Sequence, residues 1–288
     1  MKRLWNTLRY TYRGMRGQIL GWGIGLAVYG LFIVSMYAVM ANQQERFQQL
    51  ISSYPPEFLA FFGGSPESLL TPASFLRMYA FSMLPVIFGI FGIIAGSGLI
   101  AGDEEHGRLD LIMAHPVGRS PFFFGRSLAL LGAILSIMLL GWLGFSVLLG
   151  RSDLGFSWGQ MAVPFLTLSI QVLLYASLAL LLSMLLPARS LAAMISGAVM
   201  VVSYFLSSLA FIDERLETVA RVLPYQYYQV VMSFQELNLA WIMALLGVCL
   251  AMFLLAWGLF LRRDIRLSGE GSWRLPFMSK KAKALPAS

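Results

Sequence analysis

The densest group of ionisable side chains in the sequence is the stretch Gly-Asp-Glu-Glu-His-Gly-Arg-Leu-Asp at residues 102–110. Carboxylate and imidazole groups bind divalent cations, so Asp103, His106 and His115 are candidate ligands of a metal ion. The long apolar segments elsewhere in the chain supply no further carboxylate or imidazole ligand, which weighs against a metal site. The stretch therefore needs other interpretations.

Intramembrane proteolysis by a pair of glutamates is a second chemistry to consider for this stretch. Proteases of that kind carry two glutamates, three further residues and then an arginine, whereas only two residues separate Glu105 from Arg108. They also need histidines on later helices, and no histidine follows His115. Two interpretations without catalysis remain: a loop that docks a partner protein, and a solvated turn at the membrane surface.

The sequence also lacks the residues that would let this chain use ATP or an ion gradient directly. A P-loop needs Gly-Lys-Ser or Gly-Lys-Thr to hold phosphates, and no lysine here follows a glycine. No Asp, Glu, Lys or His lies in the middle of an apolar segment, which weighs against ion-coupled transport. The most central polar residues favour helix contacts over a substrate path: Thr167, Ser169, Gln171, Tyr175 and Ser177. We therefore predict no catalytic residue, metal or cofactor on this chain.

The elements that position these residues are long apolar segments. The 288-residue chain is 58% hydrophobic and only 12% charged. A helix crosses the hydrocarbon core of a bilayer with about 20 apolar residues. The sequence therefore predicts an all-α integral membrane protein, a single transmembrane domain over residues 1–288 with six transmembrane helices. The predicted spans are residues 17–40, 79–101, 122–149, 161–186, 190–211 and 239–261.

Basic residues concentrate at the two termini and in short loops, which predicts the orientation. Residues 1–16 carry five basic and no acidic side chains with apolar residues at helical spacing, which favours an amphipathic interfacial helix over a disordered leader. With the N-terminus inside, 16 of the 21 lysines and arginines lie on the inner side, as the positive-inside rule requires. Both ends are thus predicted to be cytoplasmic, and residues 262–288 form a basic tail. No basic patch has interleaved aromatics, so we predict no nucleic-acid partner.

The segment after the second predicted span resembles the corresponding loop of type-2 ABC exporter permeases. In that family an acidic pair, a glycine, a leucine, an acid and a Pro-Val-x-Arg turn lead into the third span. Residues 100–111 and 115–119 show the same order. The basic amphipathic helix, the six spans and a Pro-aromatic element at Pro224 and Tyr225 are similar as well. The long outer segment 41–78 departs from many members and leaves the substrate open.

This resemblance implies a membrane-spanning permease subunit that forms the substrate pathway as a dimer and docks separate ATPase subunits. ATP and magnesium would be bound by the partner and no cofactor by this chain. The implied partners are an ABC ATPase, a second permease copy or related chain, and the lipid of the cell membrane. Six spans without internal duplication also predict that one chain is half of a two-sided pathway. The alternative is a membrane-embedded enzyme or anchor protein without an ATPase.

The resemblance also assigns roles to residues of two segments. In the predicted coupling loop, Asp103 would cap a short helix that Pro116 ends. An apolar face of this helix would project into the cytoplasm for the ATPase. The outer segment would form a re-entrant or interfacial element whose tyrosines lie among lipid headgroups. The coupling loop comprises Asp103, Glu104, Glu105, Gly107, Leu109, Asp110, Ile112, Met113, Pro116 and Arg119, of which Leu109, Ile112 and Met113 form the apolar face. The outer element comprises Pro224 and Tyr225, with Tyr227 and Tyr228 beside them.

The second predicted span carries residues that shape helices rather than perform chemistry. Gly92 and Gly96 have the small-xxx-small spacing that allows two helices to approach closely, and so do Gly98 and Gly102. Pro85 predicts a bend in the same span.

Overall fold

The computed structural model describes residues 2–41, 54–55, 71–114, 118–152, 154–210, 214–229 and 237–262. Within this part of the chain every regular element is helical, and six helices are long and apolar enough to cross a membrane. These six, named the first to the sixth span below, are Arg16–Ala41, Pro72–Gly98, Arg119–Ser146, Trp158–Leu185, Arg189–Leu209 and Leu239–Arg262. The predicted all-α architecture with six spans is confirmed.

The remaining elements are short. A helix over Lys2–Gly14 precedes the first span, and helices Ala101–Glu105 and Arg108–Ala114 follow the second. A 3-10 turn over Leu149–Arg151 follows the third span. Helix Glu214–Ala220 and the 3-10 turn Pro224–Tyr227 lie between the fifth and sixth spans.

The second span begins seven residues before its predicted start at residue 79. Thr71 caps it, because the Thr71 hydroxyl accepts a hydrogen bond from the Ser74 N–H, and Pro72 occupies the first turn. Both residue types favour a helix start at these positions. Arg77, which the predicted outer segment 41–78 included, therefore lies within the helix.

Packing centres on the third and fourth spans. The first span lies along the third, the second lies along the fourth, and the fourth also contacts the fifth and sixth. The share of buried residues is highest for the fourth span, at 67%, and lowest for the sixth, at 17%. The first and second spans thus pack on different neighbours and have few contacts with each other.

Glycines determine the closest helix approaches. A Cβ atom at Gly96 of the second span would lie 2.3 Å from the Ala176 carbonyl oxygen of the fourth. A Cβ atom at Gly144 of the third span would lie 2.3 Å from Ala27 Cα of the first. No side chain fits in either place, so these backbones touch only because the residue is glycine. The close approach predicted from Gly92 and Gly96 is confirmed.

The N-terminal helix packs along the third span. A Cβ atom at Gly125 would lie 3.0 Å from the Leu4 carbonyl oxygen. Further along, the Tyr12 and Ser136 hydroxyls are hydrogen-bonded at 2.7 Å. The predicted helix is present, and protein contacts hold it; its placement in a membrane interface stays a prediction.

Candidate functional site: the Asp103 elbow and the tyrosine cluster

The predicted coupling loop folds as two short helices, Ala101–Glu105 and Arg108–Ala114, which we call the Asp103 elbow. They join at Gly107, whose φ of +64° places it in the left-handed region that glycine tolerates best. The first helix begins at Ala101 with Ile100 in the capping position. The prediction that Asp103 caps this helix is therefore wrong, because Asp103 lies inside the first turn.

Asp103 instead pairs with a cation of the third span. The Arg126 guanidinium donates to an Asp103 carboxylate oxygen and to the Leu99 carbonyl. Its Cζ also lies 4.6 Å from the centre of the Phe122 ring, a cation–π geometry. The two charged side chains are only 12% and 16% exposed, so each depends on the other for compensation. This pair ties the elbow to the third span.

Glu105 ties the elbow to the fifth span. Its carboxylate accepts a hydrogen bond of 3.0 Å from the backbone N–H of Arg189, the first residue of that span. The preceding Ala188 has no polar side chain, so Glu105 supplies the cap from another element. The Arg189 side chain turns back to the second span and donates to the Ile94 carbonyl at 3.4 Å.

Arg189 also explains the second glycine pair of the second span. A Cβ atom at Gly98 would lie 2.8 Å from Cζ of Arg189, and one at Gly102 would lie 3.7 Å from its Nη1. At Gly98 the close neighbour is the Arg189 guanidinium, and at Gly102 a Cβ atom would make only an ordinary contact, so the close helix approach predicted from this pair is wrong. The elbow therefore connects the second, third and fifth spans at one end of the bundle, which we call the Asp103 end.

The apolar face of the elbow packs inward. Leu109 is 3% exposed and belongs to the main core, and Ile112 and Met113 pack against that core. The prediction that this face projects away from the bundle is wrong. The spacing of the three residues correctly indicated one face, but periodicity alone does not tell which neighbour covers it. Among the side chains of the elbow that the structure describes, the exposed ones are polar and lie at its tip: Glu105, His106 and Arg108.

Other residues of the predicted loop have simpler positions. Glu104 follows Asp103 in the same helix, and Arg119 begins the third span and donates to the Leu261 carbonyl of the sixth at 3.0 Å. Nδ1 of His106 lies 2.6 Å from the Gly102 carbonyl oxygen. Pro116 and the side chain of Asp110 lie outside the described residues, as does His115. In the described part of the chain, no three Asp, Glu, His or Cys side chains group as metal ligands.

The second span is broken at the opposite end of the bundle. We call this the Tyr225 end, after a tyrosine that binds the broken segment there. Its middle segment, Arg77–Phe81, is a π-helix, and the α-helix resumes at Leu84. Pro85 has no N–H to donate to the Phe81 carbonyl, which an unbroken helix would provide. The Val86 N–H bonds to the Met83 carbonyl at 3.1 Å rather than to Ser82. The helix is interrupted at the position where Pro85 predicted a bend, and the interruption frees the carbonyls of Phe81 and Ser82.

Tyrosine hydroxyls from other elements satisfy these carbonyls. Tyr225 donates to the Ser82 carbonyl at 2.7 Å, and Tyr228 donates to the Phe81 carbonyl at 3.3 Å. Tyr29 of the first span donates to the Tyr79 carbonyl one turn away. We call Tyr29, Tyr225 and Tyr228 the tyrosine cluster. It joins the first span, the second span and the segment before the sixth.

The 3-10 turn Pro224–Tyr227 holds Tyr225 in this position. The Tyr225 backbone N–H donates to the Ser203 hydroxyl of the fifth span at 2.9 Å. Its ring lies perpendicular to that of Tyr204, with centroids 5.2 Å apart. Burial raises the pKa of both Tyr225 and Tyr228, so both remain neutral phenols that can donate.

The tyrosines of this segment were predicted to lie among lipid headgroups. The hydrogen bonds of Tyr225 and Tyr228 to the second span were not predicted. Tyr227 differs from its neighbours, because its hydroxyl donates locally to the Arg221 carbonyl at 2.7 Å. The available signal was Pro85, which always leaves a helix carbonyl without its N–H. Where the segment lies relative to a membrane stays a prediction.

The central polar residues of the fourth span are mostly satisfied within their own helix. Thr167, Ser169 and Ser177 donate to carbonyls three or four residues earlier. The Gln171 amide donates to the Tyr175 hydroxyl at 3.0 Å. The bonds of Thr167, Ser169 and Ser177 thus lie within the fourth span, and Ser177 also lines a cavity of about 380 Å³.

Comparison with known families adds to this geometry. A family model described as multidrug efflux system permease Rv1217c, C-terminal domain, matches residues 4–263. The matched range contains all six spans, the Asp103 elbow and the tyrosine cluster. No curated protein sequence matches the chain.

Proposed function

Since the chain belongs to the multidrug efflux system permease family defined by the C-terminal domain of Rv1217c, we propose that it is the membrane-spanning subunit of an ATP-driven exporter of the type-2 ABC class. Family and fold together make it a multi-pass membrane protein and a transport subunit rather than an enzyme. The finer proposal concerns its energy source, its partners and its orientation in the cell membrane.

This proposal is based mainly on the contacts of the Asp103 elbow. One short element is bonded through Asp103 to the third span and through Glu105 to the fifth, and it continues directly from the second. A force applied to its tip would act on three spans together. The force is proposed to come from a partner that binds ATP, because the sequence of this chain has no P-loop lysine.

The contact with the ATPase is proposed to be polar. Leu109 packs into the core of its own bundle and is not accessible to a partner. The accessible surface among the described side chains of the elbow is the tip formed by Glu105, His106 and Arg108. Charged side chains at such a rim fix the register of a partner more than they add affinity. ATP and magnesium would be held by that partner.

The Asp103 end is proposed to face the cytoplasm, since the positive-inside rule places both termini there. A second permease copy is proposed to complete the pathway. Six spans without internal duplication favour this pairing, because they would form one half of a two-sided pathway.

Affinity purification from the source cells tests the proposal. A tagged copy of this chain is purified in detergent, the co-purifying proteins are searched for a Walker-motif ATPase, and the mass of the complex is measured. We expect two permease and two ATPase copies, with ATP hydrolysis abolished by substituting the Walker lysine of the ATPase. A permease that purifies alone and still exports would contradict an ATP-driven exporter.

A further inference from the structure

A cavity of about 380 Å³ lies between the third, fourth and sixth spans, and the described residues that line it all belong to these spans. It exists because the third and sixth spans both pack on the fourth, whereas they have few contacts with each other. Those contacts are aromatic and lie at one end of the cavity. The ring centre of Phe123 is 5.1 Å from that of Phe253, and the ring centre of Phe124 is 5.3 Å from that of Trp257.

The cavity opens on the outside of the bundle. Leu128 of the third span and Leu250 of the sixth line it and are 43% and 57% exposed. The fourth span forms its floor through Leu173, Ala176 and Leu180. In a bilayer the outside of a spanning bundle faces the lipid tails, so these tails are the molecules that meet the mouth of the cavity.

The lining also contains a hydroxyl group that has no partner. The Ser127 oxygen is buried and makes no hydrogen bond within the described part of the chain. Serines of spanning helices commonly donate to a carbonyl three or four residues earlier, as Ser136 and Ser177 do here. A buried hydroxyl without a partner is costly, and an acceptor on a ligand would remove that cost. Three other serine hydroxyls also lack a partner but do not line the cavity: Ser146, Ser196 and Ser207.

The position of Ser127 along its helix identifies the acceptor. Ser127 directly follows Arg126, whose guanidinium pairs with Asp103. Charged side chains of spanning helices lie at or near the membrane interface. Ser127 therefore lies where headgroups meet hydrocarbon, and the cavity extends from it towards the middle of the spans. A phospholipid has its ester carbonyls at this boundary and its acyl chains on the hydrocarbon side.

We infer that the cavity binds one acyl chain of a membrane phospholipid, and that the ester carbonyl of this chain accepts a hydrogen bond from the Ser127 hydroxyl. The lipid is a resident part of the assembly rather than a transported molecule. It fills the space beside the sixth span, which has the lowest share of buried residues of the six, at 17%. The inference goes beyond the proposed function and requires no ATPase.

Two other occupants fit the cavity less well. A helix with its side chains is about 10 Å wide, so about one turn would fill the volume, whereas a spanning helix of a second copy has more than five. Water needs two to four polar partners, and most of the lining is leucine. An acyl chain with one carbonyl matches both the leucines and the single unpaired hydroxyl.

A comparison of ester and ether lipids tests the hydrogen bond. The full chain is purified in an oxyethylene detergent, whose alkyl chains carry no carbonyl, and native mass spectrometry gives the Kd of each successive lipid. The probes are dioleoyl phosphatidylcholine and its di-O-oleyl ether analogue. We expect the first ester lipid to bind the wild type about threefold to tenfold tighter than the first ether lipid, the effect of one hydrogen bond. Ser127→Ala should abolish this difference and still bind the ether lipid.

Filling the cavity tests the site itself. Ser127→Phe places a ring in the cavity and should weaken binding of the first ester lipid about tenfold or more. Gly247→Phe is the matched control, because a Cβ atom at Gly247 of the sixth span would meet nothing within 4 Å and this residue does not line the cavity. It should bind lipid as the wild type does.

Three results would overturn the inference. The first is equal binding of ester and ether lipids by the wild type, and the second is a first lipid bound no tighter than later ones. The third is loss of a second permease copy from Ser127→Phe in the same spectra, which would assign the cavity to that copy. The ester and ether comparison with Ser127→Ala keeps the test valid if Ser127→Phe does not fold.

Discussion

The ion pair between Asp103 and Arg126 fixes the position of the elbow. Both side chains are mostly buried, and Arg126 also donates to the Leu99 carbonyl and lies over Phe122. A buried pair of this kind adds little net stability compared with an apolar pair of similar shape. The pair instead selects one position of the elbow, because Asp103 and Arg126 compensate each other's charge in this position.

Breaking one side of this pair is expected to be costly. Asp103→Asn leaves the Arg126 guanidinium buried without its counter-charge, which should lower the free energy of unfolding by about 3–5 kcal/mol. The double variant Asp103→Asn/Arg126→Gln removes both charges and should recover a large part of that loss. Thermal unfolding in detergent compares the three proteins. A single variant as stable as the wild type would show that the pair is not a structural determinant.

At the scale of elements, the second span is defined by its break. Pro85 has no N–H to donate, and the π-helix over Arg77–Phe81 shifts the register of the hydrogen bonds. The carbonyls of Phe81 and Ser82 instead accept hydrogen bonds from tyrosines of a segment distant in the sequence. The break is therefore held by the segment before the sixth span. Any movement of that segment changes what these carbonyls can bind.

A double-mutant cycle tests this dependence. Tyr228→Phe leaves the Phe81 carbonyl without a donor and should cost about 1–3 kcal/mol of stability. In a Pro85→Ala background a backbone N–H is available again, so the same substitution should cost less than half as much. Tyr227→Phe is the control, since its hydroxyl bonds only locally to Arg221 and its loss should cost under about 0.5 kcal/mol. Equal costs in both backgrounds would contradict the capping account.

The spans themselves could be predicted from the sequence, whereas the contacts at their ends could not. The number and approximate length of the spans were predictable, because hydrocarbon thickness dictates about 20 apolar residues. The direction of the Leu109 face and the partners of Tyr225 and Tyr228 were not, because they depend on which helices lie side by side. Gly98 illustrates the same limit: its small size was evident, but the guanidinium of Arg189 against it depends on the tertiary fold.

At the scale of the whole molecule, two connected ends characterise the bundle. The Asp103 end links the second, third and fifth spans through charges, and the Tyr225 end links the first, second and fifth through tyrosines and Ser203. The second span is common to both ends. A displacement of the elbow would therefore reach the Tyr225 end through a single helix.

Cysteine labelling tests the orientation of this bundle. Cys249 is the chain's one cysteine, so Cys249→Ser gives a background without thiols. On intact cells, Ser65→Cys should react with an impermeant maleimide and Ser279→Cys should not, since the basic tail is expected inside. Labelling at residue 279 but not at residue 65 would reverse the orientation and place the elbow outside.

Charge reversal at the tip of the elbow tests the central claim most directly. Arg108 is exposed at the tip, and Arg151 is exposed at the other end of the bundle. Each is changed to glutamate, and ATPase association and ATP-dependent export are measured in the assembled complex. Arg108→Glu should lose the ATPase or hydrolyse ATP without export, because the register of the docking surface is set by charge. Arg151→Glu should behave as the wild type does. Normal association and export in Arg108→Glu would contradict the assignment of the elbow as the coupling element.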